Sequence, residues 1–549
     1  MSDQPRAVQY RTTDVVDFVI VGSGAAGGVL AKELSTRGHS VVVLEQGPRL
    51  GEKEFGHGEI KYWMNGELHS KSPYTWRQKP TEEAKAGQGF LLYATLVGGS
   101  SVHMTANFWR FRPVDFKERS LLGAISGTGF TDWPITYDEL EPYYTKVDWE
   151  VGVSGVPEPG APRRSRPYPM PPVPVKSAGV LLERAAKKLG YKPFPAPMAI
   201  LSREHNGRLP CQHCGFCMGH GCEYGAKSSS LASMIPVAER TGRCEIRANC
   251  AVRDVELDAK GRATGVVYFD KDKKEQRQRA KAVILACNGA ETPRLLLAAT
   301  SKLFPNGLAN SSGLVGKYLM FNGGATLRGE YEHPLNEYKS VEVTRLLLDW
   351  YDSDPKRGFY GGGGIDSRFD AALPVQFALN TPQGMRGWGA DYKKWLAHAF
   401  TRNMELFSHT TSLPVETNSI TLDPKLKDAF GRPAIRVTYA DHADDIKIMR
   451  YLWDRSKELH DAAGAKRTWG RPPGVQSGTA HLLGTARMGN DPKTSVVDKF
   501  HRTHDVKNLF ICDGSSLVTS GRGQPTMTIM ALAFRAGEKI SEFAKRGEV

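Results

Sequence analysis

The chain opens with residues spaced to hold a phosphate. Asp17 to Gly28 read DFVIVGSGAAGG, a β-branched run that breaks into Gly22-x-Gly24-x-x-Gly27. Gly22 permits a tight strand-to-helix turn, Gly24 lets the backbone approach a pyrophosphate, and Gly27 allows close helix–strand packing. The helix that follows offers free N–H groups to an anion. Glu45, twenty-one residues beyond Gly24, closes the run VVVLEQG. There its carboxylate would accept both hydrogen bonds of a ribose diol. A Gly-rich turn in an unrelated α/β protein is the alternative. The apolar strand before the glycines and the acidic residue at this distance favour a dinucleotide site.

Two other places carry reactive side chains. His481 lies in SGTAHLLGTARMG, small and apolar surroundings in which a merely solvated histidine would be out of place. A neutral imidazole there is suited to taking a proton near neutral pH; a core histidine satisfied by backbone bonds is the bland alternative. Cys211, Cys214, Cys217 and Cys222, four of the eight cysteines, crowd into CQHCGFCMGHGC. Spacing this tight would bring thiolates round one centre, and Gly-containing turns suit an iron–sulfur cluster. Zinc, which usually takes two separated pairs, stays open, as do disulfides and free thiols. No C-x-x-C-H haem attachment site occurs.

These groups need a scaffold larger than one core, and 549 residues predict two domains, intertwined rather than sequential. The opening βαβ unit runs to about residue 50. Thr131 to Gly152 start with a turn and become helical, with Asp138, Glu139 and Glu141 near the helix start, where the dipole favours acids. Residues 157–174, rich in Pro and Arg, read as an extended surface segment. Three strand-like runs and a helix follow from Cys244 to Thr300. The basic stretch Lys271 to Lys281 between two of them reads as a solvated loop. Residues 417–439 read as strand, loop, strand in an antiparallel sheet.

Net charge is +14, from 73 basic and 59 acidic residues, but the basic residues are scattered and no nucleic-acid motif accompanies them. A basic surface for acidic substrates, an acidic partner or anionic headgroups is the better reading. No stretch approaches a membrane span. The N-terminus has no apolar h-region, and Arg6 and Arg11 are single rather than twinned. The expected location is cytoplasmic, or periplasmic only if the chain is exported with a partner that carries a signal.

The chain resembles the glucose–methanol–choline oxidoreductases over nearly its full length. The matching pieces are VGSGAAGG at 21–28, VGGSSVHMTANFWRF at 97–111 and DWPITYDELEPYY at 132–144. They continue with ACNGAETPRLL at 286–296, HLLGTARMG at 481–489 and NLFICDGSSLVTSGRGQPTMTIMALA at 508–533. Within the family it looks most like bacterial FAD-dependent sugar and gluconate dehydrogenase flavoprotein subunits. The resemblance implies an α/β fold: a discontinuous Rossmann-like FAD-binding domain with an α+β substrate domain on an antiparallel sheet. The implied division is 14–130, 201–320 and 471–549 for the FAD-binding domain, with the cysteines in its second part and the catalytic residues in its third. A helical and extended connection occupies 131–200, and the substrate-binding domain 321–470.

The resemblance also implies roles. Gly22, Gly24 and Gly27 would cradle the FAD pyrophosphate and Glu45 would hold the adenosine ribose. Val252 matches a position whose backbone reads adenine. Gly98, Gly99 and Ser101 would form the loop under the flavin, and Asp513 and Gly514 would close the pyrophosphate site from the other side. The helix starting at Pro525 and Thr526 would point its N-terminus at the flavin pyrimidine ring. His481 falls on the family's catalytic histidine. Its usual partner, His or Asn, is here Gln524, one methylene longer than Asn; capping of the next helix is its alternative role. His103 either carries a covalent bond to the flavin or packs against its dimethylbenzene edge. Relatives carry an iron–sulfur cluster where Cys211 to Cys222 lie, with different spacing.

The implied activity is oxidation of a hydroxyl of a sugar, glycoside or sugar acid, with hydride transfer to flavin N5. Electrons would pass to an acceptor other than NAD, through a cluster on Cys211, Cys214, Cys217 and Cys222 to a small accessory subunit or a cytochrome. An oxidase making hydrogen peroxide and a non-catalytic flavoprotein subunit are the rival readings.

Overall fold

The computed structural model describes residues 8–368 and 373–549; Arg6, weighed above for an export signal, lies outside the described residues. The buried strand Val15–Val21 is followed by the helix Ala25–Thr36 and the strand Val41–Leu44, parallel to the first. Gly22, at φ +96°, makes the turn between them, and a Cβ there would sit 2.5 Å from the Ala286 carbonyl oxygen. Gly24 precedes the helix in extended conformation, and no side chain caps it. The first-turn N–H groups are left for something else to bind.

These strands belong to a seven-stranded sheet whose order runs Cys244–Arg247, Val41–Leu44, Val15–Val21, Glu275–Leu285, Ala263–Phe269, Ala251–Leu257. Glu275–Leu285 divides its partners. Its first half pairs antiparallel with Ala263–Phe269, and its end pairs parallel with Leu509–Ile511. This corrects the expected loop at Lys271 to Lys281, because only the turn at 271–274 is unpaired. The charged side chains fall at alternate positions, so Arg277, Arg279 and Lys281 face solvent while Gln278 and Ala280 are buried. Period two, rather than charge density, was the governing signal.

A second sheet of six strands is antiparallel throughout: Arg467–Trp469, Gly323–Glu330, Asn403–Thr410, Gly363–Arg368, Arg345–Leu347, Phe194–Pro195. The helix Ala443–Ala462 packs on it. Ser419–Lys427 and Pro433–Thr438 form the expected antiparallel pair but lie in a separate sheet with Tyr74–Arg77 and Lys85–Ala86. The C-terminal helix Thr526–Lys545 packs against Ala25–Thr36 and Tyr137–Val147. Gly537 makes that crossing possible, since a Cβ there would come 2.7 Å from Glu33 Cβ. Thr136 and Glu139 form a capping box at the start of Tyr137–Val147. No helix among the described residues is long and apolar enough to cross a membrane.

His460 joins the helix Ala443–Ala462 to the second sheet. Its Nδ1 accepts from the Tyr331 hydroxyl at 2.8 Å and its Nε2 donates to the Leu327 carbonyl at 3.0 Å, so it is held neutral. Burial lowers its pKa from 6.5 to about 4, against the opposing Leu327 bond. The unfolded chain therefore binds a proton from about pH 6.5 downward that the folded chain refuses until about pH 4. Stability is expected to fall as pH drops through this window, and differential scanning calorimetry of wild type and His460→Gln should show a shallower fall in the variant.

Candidate active site

The parallel strands of the first sheet end at one edge, where open α/β sheets bind ligands. A cavity of about 880 Å³ begins there and continues to the face of the antiparallel sheet. Gly22, Gly24, Glu45 and Val252 line one end; His481, Gln524, His409 and Arg368 line the other. Gly99, Ser101, His103, Asp513, Gly514, Pro525 and Thr526 also lie on its wall. Gly98 stands behind the wall at φ +99°, its N–H donating to Ser23 Oγ at 3.0 Å. Gly99 packs so tightly on Gly24 that a Cβ would come within 2.8 Å of Gly24 Cα.

Several carboxylates also brace the wall itself. Glu45 Oε2 accepts from Ser23 N and Oγ at 3.1 and 2.7 Å, and its Oε1 accepts from Gly47 N at 3.1 Å. It therefore fixes the glycine turn as well as facing the cavity; burial raises its pKa despite these bonds. Asp513 accepts from Ser515, Asn288 N (3.0 Å) and Thr292 Oγ1 (2.6 Å), tying the C-terminal segment to the helix Glu291–Ala298. The Val252 carbonyl accepts from Arg432 Nη1 at 2.8 Å.

FAD fits these residues on three observations. The cavity contains a glycine cradle that a Cβ would fill, and two helix N-termini, at Gly24 and Pro525, open to it without a side-chain cap. The third is His103, 5% exposed, whose Nε2 has no hydrogen-bond partner among the described residues. Gln524 does not cap the helix Thr526–Lys545.

At the far end His481 sits half-buried on the wall, its N–H donating to Thr479 Oγ1 at 2.9 Å. Burial, then the charges of His409 and Arg368, pushes its pKa down to about 3. The imidazole is therefore neutral at physiological pH. Sequence reasoning missed its neighbours. Gln524 Nε2 lies 3.3 Å from His409 Nδ1, and His409 Nε2 lies 2.7 Å from Asp366 Oδ2. Asp366 also receives Arg368 and, at 3.0 Å, Asn107 Nδ2. The signal was present as Asp, Arg and His at alternate positions in GGIDSR and NMELFSHT, strands otherwise buried.

Of the readings left open for the four cysteines, the structure favours free thiols. All are free thiols, and among the described residues no three Cys, His, Asp or Glu side chains gather to hold a metal. The segment is committed to other contacts: Gly219 N–H donates to the His103 carbonyl at 2.9 Å and Ser340 N–H to the His213 carbonyl at 3.0 Å. Cys217 faces inward and is buried, while Cys211, Cys214 and Cys222 are half-exposed. This arrangement does not fit an iron–sulfur or zinc centre.

The loop carrying Gln524 is anchored by Arg522, wholly buried and paired with Asp115 and Glu118. Gly523, at φ +132°, follows because a Cβ would come 2.8 Å from His409 Cβ and 2.9 Å from Trp109 Cζ2.

A Rossmann-like sheet, an antiparallel partner sheet and a neutral histidine on the shared cavity define a flavin-dependent oxidoreductase. Sequence models of the GMC oxidoreductase family match residues 16–317 and 414–533, and the chain belongs to that family. It is 36% identical over 546 residues to 2-methyl-1,2-propanediol dehydrogenase of Mycolicibacterium austroafricanum, covering 96% of each chain. It is 30% identical over 565 residues to the fructose dehydrogenase large subunit of Gluconobacter japonicus, covering 97% of this chain and 98% of that one. The FAD-dependent oxidoreductase from Chaetomium thermophilum shares the fold, with a TM-score of 0.66 at 16% identity, covering 96% of this chain and 100% of the other. The protein is an oxidoreductase of CH–OH groups.

Removing one member of a buried ion cluster leaves the others unpaired and costs about 3–5 kcal/mol. Arg522→Met is expected to lower the urea midpoint accordingly, and a variant as stable as wild type would show that the Asp115–Glu118 pair tolerates the loss.

Proposed function

We propose that this chain is a dehydrogenase that oxidises a hydroxyl of a sugar, polyol or sugar acid, passing electrons to an acceptor other than NAD. The observation that carries it is the neutral His481, which lines the same cavity as Gln524 and the glycine turn. Bound FAD supplies the two-electron acceptor for the hydrogen on carbon. A ring nitrogen of His481 takes the hydroxyl proton, and Gln524 meets the substrate's oxygen side. The names of relatives, a diol dehydrogenase and a fructose dehydrogenase subunit, support a hydroxyl-bearing substrate. Because no three metal-binding side chains gather among the described residues, the proposal contains no iron–sulfur step. The acceptor beyond the cavity, whether an accessory subunit with its cytochrome or a small molecule, is external to the chain.

His481→Ala is expected to retain FAD while slowing anaerobic flavin reduction by about 10²–10⁴-fold, the usual contribution of a general base. Near-wild-type reduction would remove His481 from the reaction. Dye reduction should far exceed peroxide output with the same sugar or polyol, and the reverse ratio would make the enzyme an oxidase.

His103 Nε2, unpartnered on the wall, supports a covalent link to the flavin. Acid-precipitated protein should then stay yellow and His103→Ala should release the colour; free FAD in the wild-type supernatant would overturn the link.

A further inference from the structure

Backbone contacts locate the part of the cavity where an adenine would lie. Glu45 ends the second strand of the βαβ unit, where an acidic side chain meets the ribose, and the ribose joins pyrophosphate to base. The chain that runs past Glu45 is 249–252. Cys250 N–H donates to the Glu45 carbonyl at 2.8 Å and Asn249 N–H to the Gly47 carbonyl at 2.9 Å. Val252 follows directly, and Ala251 beside it pairs with Phe269 across the sheet. Val252, Arg253, Asp254 and Phe269 all line the cavity.

A second part of the wall here comes from a different sheet. Between Ser419–Lys427 and Pro433–Thr438 the hairpin tip DAFGR, 428–432, reaches across to the first sheet, and Phe430, Gly431 and Arg432 line the cavity. The Phe430 ring lies 14° from parallel with that of Phe269, their centroids 5.3 Å apart, an offset stack. Arg432 and Lys273, the latter from the turn at 271–274, stand 5.3 and 5.9 Å from the Phe430 centroid. Charge ties the tip down. Asp428 Oδ1 accepts from the N–H groups of Phe430 and Arg432 at 2.9 and 3.0 Å, which shapes the turn. Its Oδ2 accepts at 2.8 Å both from Arg432 Nε and from Nη2 of Arg294, on the helix Glu291–Ala298. Arg294 Nε also donates to the Pro433 carbonyl, and Arg432 Nη1 to the Val252 carbonyl, each at 2.8 Å. Burial alone would raise the Asp428 pKa, but Arg432 and then Arg294 hold it below the ordinary carboxylate range. The Arg294 and Asp428 side chains are each 4% exposed, so salt screens this pair little. The bonds secure a tip whose aromatic ring stays only half-buried on the cavity wall.

We infer that this hairpin tip is a clasp: it closes the adenine end of the FAD site, with Phe430 and Phe269 forming an aromatic wall for the base, and it sets how slowly the cofactor leaves. Arg294, Asp428 and Arg432 are its positioning residues, since they hold Phe430 in place through the hairpin. A purine is flat and largely apolar on its faces, and a fixed aromatic wall beside the Val252 backbone matches it. Cofactor retention thus depends on a strand pair outside the Rossmann-like sheet.

The test follows FAD release in a His103→Ala parent, so that the cofactor can leave whether or not His103 binds it covalently. Holoenzyme is diluted into flavin-free buffer and the rise of flavin fluorescence is timed, with far-UV circular dichroism read on the same samples. Adding Phe430→Ala is expected to speed release about tenfold, the scale of a lost base–aromatic contact. Asp428→Asn, which removes the charge that both guanidiniums share, should speed it severalfold, and Phe430→Tyr should keep it slow. Dichroism should match the parent in all three. Release from Phe430→Ala as slow as from the parent would overturn the clasp. Faster release that merely tracks a loss of dichroism would make Phe430 a structural contact and overturn it as well. The flavin absorption bands of bound cofactor give a second readout. They should coincide in Phe430→Ala and the parent, whereas a shifted spectrum would place Phe430 at the flavin instead of the adenine and overturn the assignment.

Discussion

A guanidinium sealed from water dominates the reacting half of this protein. Arg522 has no exposed surface, so its charge is tolerated only because Asp115 and Glu118 come to it and the Tyr351 carbonyl accepts from its Nε at 2.8 Å. Tyr351 and Tyr360 in turn donate to the two carboxylates. An N-terminal segment, the connections of the antiparallel sheet and the C-terminal loop thus meet at one charge. Loss of any member strands the rest, which makes the arrangement all-or-none. The loop around it shares that rigidity: Trp133 holds Thr519 and Asn322 holds the carbonyls of Ser520 and Gly521 on the near side, and Gln524 lies two residues beyond the anchor.

The cavity lies between two unlike surfaces. One is the edge of a parallel sheet, where backbone N–H groups and glycine turns face inward and suit a phosphate. The other is the polar face of an antiparallel sheet, where Asp366, Arg368 and His409 stand among apolar neighbours and satisfy one another. A polar network in such surroundings specifies a single arrangement because each unmade bond is costly. The contrast divides the labour, with one wall suited to a cofactor's charge and the other to the hydroxyls of a small molecule.

What was legible in the sequence was local. Gly22, Gly24, Gly27 and Glu45 lie within one βαβ unit, and their spacing carries their geometry. His481 and Gln524 were singled out through surrounding motifs, and the fold was read through the order of those motifs. Asp366, Arg368 and His409 were not found, because strand register decides which residues share a face and nothing in either strand alone states the register. The basic stretch at 271–281 misled because charge density masked its alternation. The cysteine run misled for another reason. Sequence proximity does not by itself close thiols on one ion, and here Gly215 and Gly219, at φ +86° and +75°, and the bond to the His103 carbonyl shape the turn instead.

The strand Leu509–Ile511 has a consequence for how the molecule is made. It pairs with Val283–Leu285, more than two hundred residues earlier in the chain. During synthesis at about 5–20 residues per second, that edge of the first sheet waits on the order of tens of seconds before its neighbour leaves the ribosome. Gln524 and the last helix emerge later still. The nascent protein therefore carries an open sheet edge and half a cofactor cradle while the antiparallel sheet is being completed. An unpaired edge is a template for wrong pairing, so the interval favours a chaperone's attention and makes cofactor capture a late event in the chain's history.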